Sequence, residues 1–174
     1  MASIFEIDFF TNYTYESIQD LGTGKVSDTT SSKFEIKQGT GDNQADTIFR
    51  DKLELRIGNS WTIAYDLAAL TDFYGVSKNF SALTAIYIKN TSDDTSETAQ
   101  IAVLEDAAND FKGSLGTIVG SEIIILPGDT YQQSKLKAGW TVDATNKILT
   151  ITAGIAASSA DDANIDVIFI GIAT

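Results

Sequence analysis

KLELRIGNSWTIAY, residues 52–65, decides the fold class. Leu53, Leu55 and Ile57 alternate with Lys52, Glu54 and Arg56, and Trp61, Ile63 and Tyr65 follow beyond Gly58-Asn59. Successive strand residues point to opposite faces, so a period of two makes one apolar face and one wet face. The Gly-Asn pair between two such runs predicts a β-hairpin.

The same alternation recurs on both sides of this stretch. Phe5, Ile7 and Phe9 alternate with Glu6 and Asp8, and Phe34 and Ile36 with Lys33, Glu35 and Lys37. These read as half-buried antiparallel strands. TAIYIK (84–89), EIIIL (122–126) and IDVIFIGI (165–172) are apolar on both faces. Such strands need cover on both sides, from a second sheet, an arm or another subunit. Residues 140–143 and 147–153 supply two more strands. Helix is nearly absent: Asp66 ahead of LAALTDFYG predicts one or two capped turns stopped at Gly75, and residues 105–111 one further turn. The expectation is an all-β chain, an antiparallel β-sandwich that is jelly-roll-like, with an extended N-terminal arm. Connectors rich in Gly, Ser, Thr, Asp and Asn at 22–32 and 39–46 place the arm, with one or two edge strands, at 1–45 and the sandwich at 46–174.

Composition narrows the chemistry. The 174 residues include no histidine and no cysteine. That removes Ser-His and Cys-His nucleophile pairs and the usual ligands of zinc, copper and iron. A net charge of −12 repels phosphate backbones and anionic lipid surfaces, so neither nucleic acid nor membrane is expected as a partner. No apolar run approaches the roughly 20 residues of a membrane span, and MASIFEIDFF lacks the basic start of a secretory signal. These features suit a chain made in a cytosol.

Carboxylates are the remaining candidates for chemistry. Asp93-Asp94 with Glu97, Asp161-Asp162, and Asp106 with Asp110 lack the ligand spacing of a calcium loop and read as solvated turns. Two facing acids would serve glycoside hydrolysis, but sugar clefts are usually lined by exposed aromatics. Trp61 and Trp140 fall on the apolar side of their strands and read as core. Gly22-Thr23-Gly24-Lys25 is too short for a phosphate loop. No catalytic residue, metal or cofactor is expected. The residues singled out for partner binding are Phe5, Phe9, Phe10, Tyr13 and Tyr15, which crowd one segment beside a connector. They anchor in a partner's pocket or pack on their own sandwich.

From Gly41 onward the chain resembles tailed-phage virion proteins of the head decoration (cement) type. The resemblance runs through GDNQADTIFRDKLELRIGNSWTIAYDLAALTDFYG (41–75), FSALTAIYIKNTS (80–92), IIILPGDTY (123–131), GWTVDA (139–144) and IDVIFIGIA (165–173). Asp129, after Pro127-Gly128, departs from the small or apolar residue expected there. The resemblance implies a sandwich without catalytic residues that binds the major capsid protein on the outside of the head, as a homotrimer. Another virion part, such as a tail or fibre base, and a carbohydrate-binding module are the alternatives.

Overall fold

The computed structural model describes residues 6–13, 30–55, 62–93, 99–104, 109–113, 122–153 and 163–174. The chain divides into two compact units, residues 1–38 and 39–174. In the first, β1 (Glu6–Tyr13) pairs antiparallel with β2 (Thr30–Gln38), from Glu6 opposite Lys37 to Tyr13 opposite Thr30. The two strands of the N-terminal segment are therefore ladder partners of each other.

The second unit carries β3 (Gln44–Ala45), β4 (Thr47–Leu55), β5 (Thr62–Asp66), β6 (Phe80–Asn90), β7 (Ile101–Leu104), β8 (Glu122–Ile125), β9 (Thr130–Ser134), β10 (Trp140–Thr141), β11 (Ile148–Ala153) and β12 (Ala163–Ala173). All regular structure among the described residues is strand. One sheet runs β10-β6-β12-β4, with β9 sharing the β10 side of β6; the other runs β5-β11-β7-β8. Every ladder in them is antiparallel, and the two sheets enclose one apolar core, which makes an antiparallel β-sandwich. The pairs nest: β7 with β8, inside β6 with β9, inside β5 with β11, inside β4 with β12.

That nesting corrects the predicted hairpin. β4 pairs with β12 in one sheet, and β5 with β11 in the other. Alternation specifies which face of a strand is buried, not which neighbour supplies its hydrogen bonds. Here the two apolar faces meet across the core. Phe49 of β4 and Tyr65 of β5 touch edge-on at 5.9 Å, and Phe169 of β12 stacks on Phe49 at 5.8 Å. Leu83, Ile86, Ile88, Ile101, Leu149 and Ile151 complete the seam, all essentially solvent-free. Each such side chain contributes about 1.5–3 kcal/mol by leaving water. Of the three runs read as apolar on both faces, β6 and β12 are the two central strands of their sheet, whereas β8 ends the order of the other sheet and its Ile124 is 48% exposed, so the expected cover on both faces fails there.

The helical turn expected after Asp66 is absent. Asp66 does form a local cap, its Oδ1 accepting from Ala68 N at 3.1 Å, but Leu67 N donates to Lys147 O and Phe80 N to Leu67 O. These tertiary bonds hold 67–79 as turns, and Leu67 and Leu70 are buried beneath them. Residues 105–108 of the other expected turn lie outside the described residues; Asn109 and Asp110 sit in a turn and a bridge to Ile148.

Asn90 joins the two sheets at the end of β6. Its buried amide nitrogen donates to Ala99 O (2.7 Å) and Ile125 O (3.1 Å). Its oxygen accepts from Ser92 N (3.1 Å) and Ser92 Oγ (2.6 Å), and Ser92 Oγ accepts from Asn164 N at 2.8 Å. Gly171 marks a tight approach within the same sheet as Asn90, between β12 and β6. A Cβ there would lie 2.1 Å from Ala82 O, where the β6–β12 register shifts.

Candidate interaction surface

The site is built from the turn that follows Leu70. Asp72 organises it. Its Oδ1 accepts from Tyr74 N and Val76 N, both at 2.9 Å, while its backbone N donates to Val76 O and its O accepts from Gly75 N. This is an Asx-type turn, and the Thr71–Ser77 bridge closes its base. Gly75 takes φ +77°, which an L side chain rarely adopts, and a Cβ there would meet nothing within 4 Å. From this hydrogen-bonded turn Phe73 and Tyr74 project into solvent, 95% and 85% exposed, with Val76 beside them. The two rings pack on each other edge-on at 5.6 Å.

Below the rings is an open cleft of about 580 Å³, bounded by Ile48, Arg50, Asp51, Lys52 and Lys78 as well as the turn itself. β4 ends the order of its sheet, and the charges along it suit an edge strand. Arg50 donates to Asp166 across to β12 through Nε (3.3 Å) and Nη2 (3.0 Å), and Lys52 Nζ lies 3.6 Å from the same carboxylate. That hydrogen bond, then the attraction of Asp166, raises the Arg50 pKa, so the guanidinium is a fixed cation. Asp51 accepts from Lys52 N (2.9 Å) and from the hydroxyl of Tyr65 (3.1 Å). Burial first, then the charge of Asp51, pushes the Tyr65 hydroxyl far above its ordinary pKa, so it remains a neutral donor. Lys78 Nζ lies 3.8 Å from Asp72. The surface thus offers two rigid rings and three cations, but no nucleophile–base pair.

The residues predicted for partner binding belong to the N-terminal segment. Phe9, Phe10 and Tyr13 are in β1, opposite Phe34, Lys33 and Thr30; Phe5 and Tyr15 fall outside the described residues. Trp140 is half-buried against the core, as its position in the alternation predicts, and also edges a hollow of about 500 Å³ with Lys112, Lys135 and Asn146. Trp61, Asp94, Glu97, Asp106, Asp161 and Asp162 fall outside the described residues. Among the described residues no group of three or more acidic side chains is placed to hold a metal ion. Sequence reasoning missed Phe73 and Tyr74 by assigning LAALTDFYG to a helix. The signal was present: an Asp two residues before an aromatic and three before a Gly is turn chemistry, and it strands the intervening rings at a loop tip.

Comparison of the chain with protein-family models, curated proteins and solved structures finds no match.

Proposed function

We propose that this chain is a head decoration (cement) protein of a tailed phage, binding the outside of the shell and bridging capsid subunits. The observation that carries this reading is where the resembling segments fall. The five segments supply β4, β6, β10, β12 and the start of β9 in the five-stranded sheet, and β5 and most of β8 in the facing one. The motifs coincide with the joints between the two sheets. The Asn-Thr-Ser step holds the Asn90 network, and Pro127-Gly128 forms the turn into β9, closed by Asp129 N on Leu126 O. The nested strand pairs read as the wrapping order of a jelly roll, an architecture that viral shells use.

The chemistry available agrees with an adhesive role. Several of the described acids serve the fold: Asp66 pairs with Lys147 at 2.6 Å, Asp72 builds its turn, and Asp166 binds Arg50. An acidic exterior keeps such a protein soluble before assembly. The N-terminal unit, with Phe5, Phe9, Phe10, Tyr13 and Tyr15, supplies strand and aromatic contacts to the major capsid protein or to sister copies. A homotrimer suits closed symmetry over a three-fold position of the shell.

The reading is tested with the purified chain and heads assembled without it. Saturable, stoichiometric binding to those heads is expected, from a species three times the 18.7 kDa chain mass. No binding to heads at micromolar chain, or attachment confined to tails, overturns it.

A further inference from the structure

We propose that the hollow edged by Trp140, Lys112 and Lys135 binds an acidic sugar, its oxyanion on the two ammonium groups and its ring against the indole. The site is separate from the cement reading and stands without it. Charge selects the ligand. The described residues that line the hollow include two lysines and no acid. Both lysines are exposed, and among the described residues neither makes an ion pair. Asp143 lies outside the lining, and its Oδ1 already accepts from Thr145 N (2.7 Å) and Thr145 Oγ1 (2.9 Å). Both amide atoms of Asn146 are used within the fold: Oδ1 accepts from Lys112 N at 2.7 Å, and Nδ2 donates to Thr141 O. Ammonium groups only donate, so the ligand that uses this surplus carries an anionic acceptor.

Size and walls extend the choice beyond a bare ion. The hollow measures about 500 Å³, within the range of small-molecule sites, whereas a water takes about 30 Å³ of the liquid. A sulfate would leave most of that space, and the Trp140 wall, uncovered. The negative face of an indole attracts the C–H groups of a sugar ring, and the hydroxyls of Thr141 and Thr145 lie on the same lining. The backbone of the walls is set beforehand. Phe111 is buried and its N donates to Ile148 O at 2.7 Å, which places Lys112 one residue on. Lys135 N donates to Thr84 O at 2.8 Å, and Trp140 pairs opposite Leu83 of β6. Gly113 lets these walls meet, since a Cβ there would lie 2.6 Å from Trp140 Cβ and 2.7 Å from Phe111 Cζ. A site whose walls are already placed loses little entropy when it fills.

The test titrates the full-length chain with glucuronate, glucose and inorganic sulfate, read from the indole N–H signal of Trp140 in heteronuclear NMR spectra and assigned with Trp140→Phe. Glucuronate should bind at low salt with a Kd of about 1 mM, and glucose and sulfate each at least about fivefold more weakly. Lys112→Gln and Lys135→Gln should each weaken glucuronate about threefold and flatten its salt dependence, with thermal midpoints at the wild-type value. Lys137→Gln, an exposed lysine outside the lining, should leave the affinity unchanged. A Trp140 signal that glucuronate does not move overturns the proposal. Equal affinity for glucose removes the role of charge, and equal affinity for sulfate leaves an ion site without a sugar; either result also overturns it. So does an equal loss in Lys137→Gln, which would mark general attraction to a lysine-bearing surface. Heads play no part in this assay, so its failure leaves the cement reading untouched.

Discussion

Replacing Asn90 with Ala strips four hydrogen bonds from the join between the two sheets. Ala99 O and Ile125 O lose a donor, Ser92 N loses its acceptor, and Ser92 Oγ loses the group to which it donates. Asn90 is solvent-free, so water cannot replace these partners without opening the strands. Leaving a buried polar group unmet costs about 1–3 kcal/mol, and at the low end for each of the four the loss is about 4 kcal/mol. For a chain of this size that is a fall of about 8–16 °C in the thermal midpoint. Circular dichroism melts read it directly. Asn90→Asp separates the contributions. It retains the acceptor for Ser92 but sets a buried carboxylate against two carbonyls, which raises its folded-state pKa above the unfolded value. The protonated form is then favoured on folding, so the deficit of Asn90→Asp is smallest below about pH 4 and grows as pH rises through the folded pKa. A fall of under about 3 °C for Asn90→Ala, or a pH-independent deficit for Asn90→Asp, refutes the assignment of Asn90 as the joint.

Other outcomes follow from single features. Gly171→Ala must push β6 from β12, because the new Cβ meets Ala82 O at 2.1 Å; a loss of about 3 kcal/mol in urea denaturation is expected, and an unchanged midpoint contradicts the close approach. Phe169→Ala removes the ring shared by Phe49 and Tyr65 and should cost about 3–5 kcal/mol in the same assay. Asp143 has its pKa lowered, first by the backbone N–H of Thr145 and then by its hydroxyl. Its contribution is therefore present above the unfolded carboxylate pKa and is lost as pH falls through the lower folded value. The stability gap between wild type and Asp143→Ala should narrow on acidification, and a gap constant from pH 7 to about pH 2 would refute this. Deleting residues 1–20 should abolish attachment to heads while the β-sheet signal of the remaining chain persists; attachment at normal occupancy counts against the N-terminal contact.

The strands were legible because their faces are chemically marked. Alternation at 52–57 and 61–65 placed β4 and β5; two of the three doubly apolar runs are β6 and β12 at the sheet centre, while the third is the edge strand β8, with Ile124 exposed. Their partners were not legible, since a period of two carries no information about which edge pairs with which. Trp140 followed from the same pattern. The turn at 72–77 was misread because Leu67 and Leu70 sit three apart, as on a helix, and their burial under a non-helical loop depends on Lys147 O and Leu70 O accepting from distant amides. The cleft was invisible for a different reason. Arg50 and Lys78 are 28 positions apart in sequence, and only the return of the chain after β5 brings them to one surface.

The central claim is tested most directly by cryo-electron microscopy of two particle preparations, one with this chain and one assembled without it. Density that fits the two-sheet sandwich, present on the outer face of the head in the first and missing from the second, is the predicted result. Identical heads in both, with the difference confined to the tail or lost altogether, would contradict it.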